Sequence, residues 1–416
     1  MKPKQVEQLR VWYTPTTALK TSVGRLARAG PDLLFEYDPT FLRSGLELSP
    51  YTLPLQRGLF QGDPRTFDGL MGLFDDSLPD GWGRLLVDRH AAKLGFSPRA
   101  LGPLDRLALV GHESLGALEY EPEYDRILPS VIDLAEIEAD TQRVLSGVEP
   151  ADLDRLIALA SSPQGARPKI LVHEAPDGRL MAGAGDLAPG HRAYLVKFRS
   201  PLDAKESANL EHAYFLMAEA AGIDVPATKV MGGNRRRSGY FAIERFDRLP
   251  GRRIHQHTVG GLLELPHGYT AFDYKDLLLL TRSLTRSEQA TTEMYRRACF
   301  NVLAHNRDDH VRNFAFLMNE SGTWRLSPAY DLTFSAGPGG EHSTLILGEG
   351  HRPDATHLRA LARELGVKRY AQVIDHVEAA VADFDTWAQK ARVPKKLRRS
   401  VFQTLQKGRA RSNRSA

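Results

Sequence analysis

The stretch HNRDDHVRNFAFL, His305 to Leu317, sets two carboxylates, two histidines, two arginines and asparagine amides directly before an apolar run. Charged groups resist burial unless they are paired or bound to a metal. Asp308 and Asn313 stand in the spacing D-x-x-x-x-N, and Asp331 follows in SPAYDLTF. Two acids and an amide at these intervals suit Mg²⁺-assisted phosphoryl transfer. Mg²⁺ takes hard oxygen ligands and keeps several waters, so few protein ligands suffice. A carboxylate outside the metal shell can accept the proton of an attacking hydroxyl. Other readings stay open: a surface turn, a buried ion-pair network, or a transition-metal site using His305, His310 and the two aspartates. On the phosphoryl-transfer reading the charges are not buried against each other. They line a wet cleft, with Arg307 and Arg312 ion-paired, phosphate-facing or solvated.

Working outward, AYLVKF places Lys197 in an alternating apolar strand, where an ammonium is costly unless paired. It is either an outward-facing strand lysine or a cation for nucleotide phosphates. Glu211 on the following helix is the acid expected to orient it, ahead of Glu206. The cluster SSPQGARPK offers a tight glycine turn at Gly165, whose backbone N–H groups, with Lys169, suit phosphate. AIERFDR ends a strand where Glu244 and Phe246 can meet an adenine and Asp247 a ribose. No single part is specific. Their order is more informative: loop, strand lysine, helix acid, hinge, D-x-x-x-x-N, hairpin, metal aspartate.

A chain of 416 residues predicts two or three domains. Its 42% hydrophobic and 25% charged content is that of an ordinary globular protein. Net charge is +4, unevenly spread: PKKLRRSVFQTLQKGRARSNRSA carries eight Lys or Arg and no acid. That tail is a solvated helix end, or it meets an acidic or phosphate-rich surface. Cys299 is the one cysteine and lies in an apolar helical pattern, so core packing is expected and disulfide or zinc chemistry is not. No apolar run reaches about 18 residues and the first ten residues lack an apolar signal region, so no membrane association and a cytoplasmic location are expected.

The segments LRVWY, LLFEYD, KILVHE, AYLVKF, ATKVMG and GYFAIERFD read as strands. A helix follows DDSLPDGWG with Trp82, Leu85, Leu86 and His90 near one face. ESANLEHAYFLMAEAAG reads as a helix with Leu210, Tyr214, Met217 and Ala221 in one stripe and Gly222 as its cap. From about residue 255 helical patterns dominate, RYAQVIDHVEAAVADFDTWAQKA among them, interrupted by a hairpin of FAFLMN and TWRLSP. The fold class expected is α+β, with a small sheet lobe joined to a helical lobe.

The combination YTLPLQRG, FDDSLPDGWGRLLVDR, GHESLGALEY, SSPQGARPKILV, YLVKF, IDVPATKV, ERFDR, DDHVRNFAFL and LSPAYDLTF resembles the HipA family of bacterial toxin serine/threonine kinases along nearly the whole chain. The resemblance implies an N-terminal α/β subdomain (1–125) and a two-lobed protein-kinase-like core. Its β-rich lobe would span 126–248 and its all-helical lobe 249–416. It implies ATP and Mg²⁺ as cofactors, Asp308 as catalytic base, and Asn313 and Asp331 as metal ligands. Gln164, Gly165, Ala166, Arg167, Pro168 and Lys169 would form the phosphate loop, with Lys197 on the ATP phosphates. Glu244, Arg245 and Phe246 would flank the adenine. His310, Val311, Arg312 and Tyr330 would complete the nucleotide site. Ser162, with Ser161 as its neighbour, matches the serine that the family autophosphorylates to eject the loop. The implied partners are a protein substrate such as an aminoacyl-tRNA synthetase, and a small HipB-like helix-turn-helix antitoxin through which operator DNA is bound.

The chain departs from the family at Pro168, which lacks an N–H, at His257 in HQH, and at Asp309, where glycine is common. Two alternatives accompany the kinase reading. One is a catalytically weak co-repressor or scaffold for the antitoxin. The other is a small-molecule phosphotransferase of the aminoglycoside type.

Overall fold

The computed structural model describes residues 5–412 except 94–100, 124–130, 161–164, 184, 202, 234–237, 267 and 270, with side chains described to 407. In chain order come β1 (Gln8–Thr16), β2 (Leu19–Ala29), β3 (Asp32–Tyr37), β4 (Leu59–Gln61), α1 (Gly72–Asp75), α2 (Gly81–Lys93), α3 (Pro103–Val110) and β5 (Leu118–Glu121). Then follow α4 (Leu134–Leu145), α5 (Leu153–Ala160), β6 (Lys169–Glu174), β7 (Leu180–Ala182), β8 (Arg192–Lys197), α6 (Ser207–Ala220), β9 (Thr228–Met231) and β10 (Tyr240–Glu244). The remainder is β11 (Arg248–Leu249), β12 (Arg252–Arg253), β13 (His255–Thr258), α7 (Val259–Leu262), α8 (Tyr274–Thr285), α9 (Glu288–Leu303), β14 (Ala315–Met318) and β15 (Trp324–Leu326). It closes with α10 (Ala355–Glu364), α11 (Tyr370–Ala382), α12 (Phe384–Lys390) and α13 (Lys395–Ser412). The result is a mixed α+β fold.

These elements divide into two compact units. Unit 1 comprises residues 1–203, 242–266 and 317–323; unit 2 comprises 204–241, 267–316 and 324–416. Unit 1 holds a seven-stranded sheet of order β11-β12-β1-β2-β3-β4, with β5 also paired to β1. Side chains alternate across a strand, and Leu9, Val11 and Tyr13 of β1 and Leu33, Phe35 and Tyr37 of β3 accordingly point to one buried side. A five-stranded sheet has the order β7-β6-β8-β10-β9, and β10 itself runs from unit 2 into unit 1. In α2, Trp82 and Leu86 are buried as expected, whereas Leu85 is 38% exposed and lies off the buried face.

Unit 2 is built on helices. Leu210, Tyr214, Met217 and Ala221 form the buried stripe of α6, and Gly222 takes φ +77° just past its end. The expected single helix over RYAQVIDHVEAAVADFDTWAQKA is two, α11 and α12, which meet at Asp383. Cys299 is buried on α9, where burial pushes its thiol up to about 12. The basic tail forms α13, with Val401 and Leu405 buried and Lys396, Arg399 and Lys407 exposed.

Candidate active site

The candidate residues form two groups, one in each unit. In unit 1, β6 and β8 run antiparallel with Lys169 and Lys197 as register partners, so both ammonium groups leave the same end of the strand pair. The Phe198 N–H donates to Pro168 O at 2.8 Å and extends the ladder to the loop. Gly165 has φ +108°, a backbone state that favours glycine. Arg167 turns to Asp203 at 3.1 Å. Glu244 and Phe246 are half-buried, while Arg245 and Asp247 between and after them are buried, the alternation of extended chain.

Two expectations on this strand end are corrected. Asp247 does not face a ribose. Its carboxylate accepts from Arg245 at 2.8 Å, from Arg248 at 2.9 Å and from the Gly116 N–H at 2.8 Å. Burial alone would raise its pKa, but Arg245 and Arg248 hold it well below the usual carboxylate range. The Arg245 guanidinium is held in the same ion pair, so its backbone is what remains for a ligand. Arg248, with Arg245 and Arg253 near it, is lowered to about 9, chiefly by burial. Ser161, Ser162 and Gln164 lie outside the described residues.

In unit 2 the loop after α9 carries the second group. Asp308 is exposed, and the Asn313 amide Nδ2 donates to its backbone carbonyl at 2.6 Å. His310 opens a short helical turn over Val311–Asn313 and accepts the Arg312 N–H at 3.3 Å. Val311 is buried beneath it. Tyr330 donates to Arg312 O at 2.7 Å. Asp331 holds φ +57°, an uncommon left-handed state for a residue other than glycine and one that clusters at functional sites. Asn313, Tyr330 and Asp331 line one small cavity. On α6, Glu211 is buried and Glu206 is the capping residue.

The expectation that none of the acids in DDH is buried against a partner fails for Asp309. It is fully buried and accepts from Tyr274 at 2.8 Å, His342 Nδ1 at 3.0 Å and the N–H groups of Ser343 and Thr344 at 2.9 and 3.3 Å. Burial is tolerated because four donors replace water. Behind it runs a chain of donors, Asn306 to Asn301 at 2.9 Å and Asn301 to Tyr274 at 2.8 Å. The Asn306 Oδ1 has no partner among the described residues and also borders the cavity. Asn301, on the last turn of α9, and Asn306, just past its end, are five residues apart and are not among the residues expected from the sequence; their signal is a pair of amides around an otherwise apolar helix end. His305 stacks on Phe334 at 5.1 Å and its Nδ1 faces Ser335 O.

The donor set suits Mg²⁺. With Asn313 Nδ2 engaged, its free amide atom is oxygen, and Asp331 adds a carboxylate.

Residues 161–384 match the family model described as the HipA-like C-terminal domain, and residues 15–121 match the HipA N-terminal domain. The chain belongs to the HipA family. Among its relatives is Y4mE of Sinorhizobium fredii, a provisionally named kinase. It is 27% identical over 372 residues, covering 80% of this chain and 83% of its own length. A Haemophilus influenzae protein, likewise provisionally named a kinase, is 28% identical over 167 residues, 37% of this chain and 48% of its own. The HipA fold itself is seen in a solved complex of Shewanella oneidensis HipA with HipB and operator DNA. That structure aligns with a TM-score of 0.67 at 17% identity, covering 96% of this chain and 95% of that one.

Proposed function

We propose that this chain is a HipA-type protein kinase that transfers the γ-phosphoryl group of ATP to a serine or threonine hydroxyl. The observation that carries the reading is the unit 2 loop, where Asn313 and Asp331 line one small cavity and the Asn313 amide bonds the backbone carbonyl of Asp308. Relatives carrying kinase names support it. Mg²⁺, held by Asn313 Oδ1 and Asp331, would neutralise charge on the phosphate oxygens. Asp308, exposed and anchored through its carbonyl, accepts the hydroxyl proton as that oxygen bonds to the γ-phosphorus. The bond to the bridging oxygen breaks and ADP leaves. Lys169 and Lys197 hold the phosphates, and Glu244 and Phe246 flank the adenine.

On this reading 1–125 is the N-terminal subdomain, 126–248 the phosphate-binding lobe and 249–416 the helical lobe. Ser162 is the autophosphorylation site, a HipB-like antitoxin the partner, and an aminoacyl-tRNA synthetase or another translation factor the substrate. Among the described residues no helix is long and apolar enough to cross a membrane, and a cytoplasmic location is proposed. Incubation with Mg²⁺ and γ-labelled ATP tests the reading: wild type labels itself at Ser162 and Asp308→Asn does not. Equal labelling of the two proteins removes Asp308 as base.

A further inference from the structure

Gly165 opens the phosphate loop, and three consecutive residues of the N-terminal part of unit 1 close on it. The Asp80 carboxylate accepts the Gly165 N–H. The Trp82 N–H donates to Gly165 O at 3.3 Å. Between them, a β-carbon on Gly81 would stand 2.5 Å from the Ala166 α-carbon, so only glycine lets the two backbones approach this closely. Gly83 is likewise confined, since a β-carbon there would stand 2.7 Å from Ala160 O at the end of α5. Trp82 is 2% exposed and anchors the segment. The sequence PDGWG, residues 79–83, thus grips both polar backbone groups of Gly165.

A phosphate loop binds anions by aiming its N–H groups at them. Pro168 has none, and the Gly165 N–H already points to a carboxylate. Asp80 therefore stands where an anionic oxygen of the nucleotide would compete. We propose that Asp80 is a positioning residue that restrains the loop and weakens ATP binding, because the triphosphate must displace its carboxylate or bind beside it. The proposal rests on the kinase reading above and adds a role for the N-terminal subdomain in setting nucleotide affinity.

Full-length Asp80→Asn and Asp80→Ser remove the charge and keep a neutral acceptor. A charge-assisted hydrogen bond is roughly twice as strong as a neutral one, so each variant is expected to bind Mg·ATP about ten-fold more tightly by calorimetry. KM for ATP falls by the same factor, kcat stays within about two-fold and the thermal midpoint is unchanged. Asp80→Glu, which keeps the charge, retains wild-type affinity. A purely structural role would instead lower the midpoint without a split between KM and kcat. If both neutral variants bind as wild type or more weakly, Asp80 is not a restraint and the kinase reading still stands. If wild type and variants all fail to bind Mg·ATP, both ideas fall.

Discussion

Lys169 and Lys197 face each other as register partners across β6 and β8. Directly opposed residues of an antiparallel pair place their β-carbons about 4.5–5.5 Å apart on one face, and like charges there are destabilising. A triphosphate at this strand end would meet both ammonium groups at once, the arrangement that the kinase reading asks for. Lys197→Met is expected to weaken Mg·ATP binding by about 10- to 100-fold, the worth of one hydrogen bond to a charged group. The thermal midpoint is measured alongside, so that a loss of folding is told apart from a loss of binding. Calorimetry and a melting curve on the same preparation check both halves, and unchanged affinity would detach Lys197 from the nucleotide.

Adjacent acids should behave oppositely. Asp309→Ala removes the acceptor for Tyr274, His342, Ser343 and Thr344 inside the protein. The expected loss is about 3–5 kcal/mol, as for other broken buried charge networks, read as a lower urea midpoint. Asp308→Asn, at an exposed position, should leave the midpoint in place and abolish phosphoryl transfer. A stable Asp309→Ala protein would contradict the buried network.

Acid should destabilise the fold in a defined window. His173 and His255 are lowered to about 4, in each case mainly by burial. The folded protein keeps them neutral, while the unfolded chain protonates them below about pH 6.5. The unfolded state therefore binds two more protons between about pH 6.5 and 4, and stability falls as pH falls, by roughly 1.4 kcal/mol per pH unit for each histidine. Asp247 acts lower still: its contribution is present above about pH 3.9 and is lost only as pH drops through its depressed folded value. Urea midpoints measured across this range should show a shallower slope for His173→Gln. The same slope as wild type would mean that His173 is protonated when folded.

Cys299 offers a check on the helical core. It is buried with its thiol raised to about 12, so thiolate is scarce and access is blocked. A chromogenic disulfide reagent should leave the native protein unlabelled for hours and react with one equivalent in denaturant. Rapid labelling without denaturant would place α9 at the surface.

Local patterning made much of this fold legible. Alternation marked β1, β3, β6, β8 and β10, and the 3.6-residue stripe marked α6. The strand β2 does not show as one by alternation, because LKTSVGRLARA interrupts its apolar positions with lysine and arginine on the exposed side. Leu85 lies off the buried face; periodicity gives a face and not its neighbours. The site was legible where spacing is short: Asp308 and Asn313 lie five residues apart and share a hydrogen bond. Asp309 was not legible, since its partners Tyr274 and His342 are 35 and 33 residues away. Asp247 escaped for the same reason, its Gly116 contact spanning 131 residues.

Neither unit is a continuous stretch of polypeptide, because the chain crosses between them after residues 203, 241, 266, 316 and 323. During synthesis the first 203 residues emerge early yet must wait for segments 242–266 and 317–323. Those later segments supply β11, β12 and β13 and the end of β14. Until β12 has emerged, Thr16 at the end of β1 lacks its partner Arg252 and that short stretch of edge is open to other chains. No single truncation can release either unit whole, and a nascent chain stalled before that point is the form most exposed to aggregation.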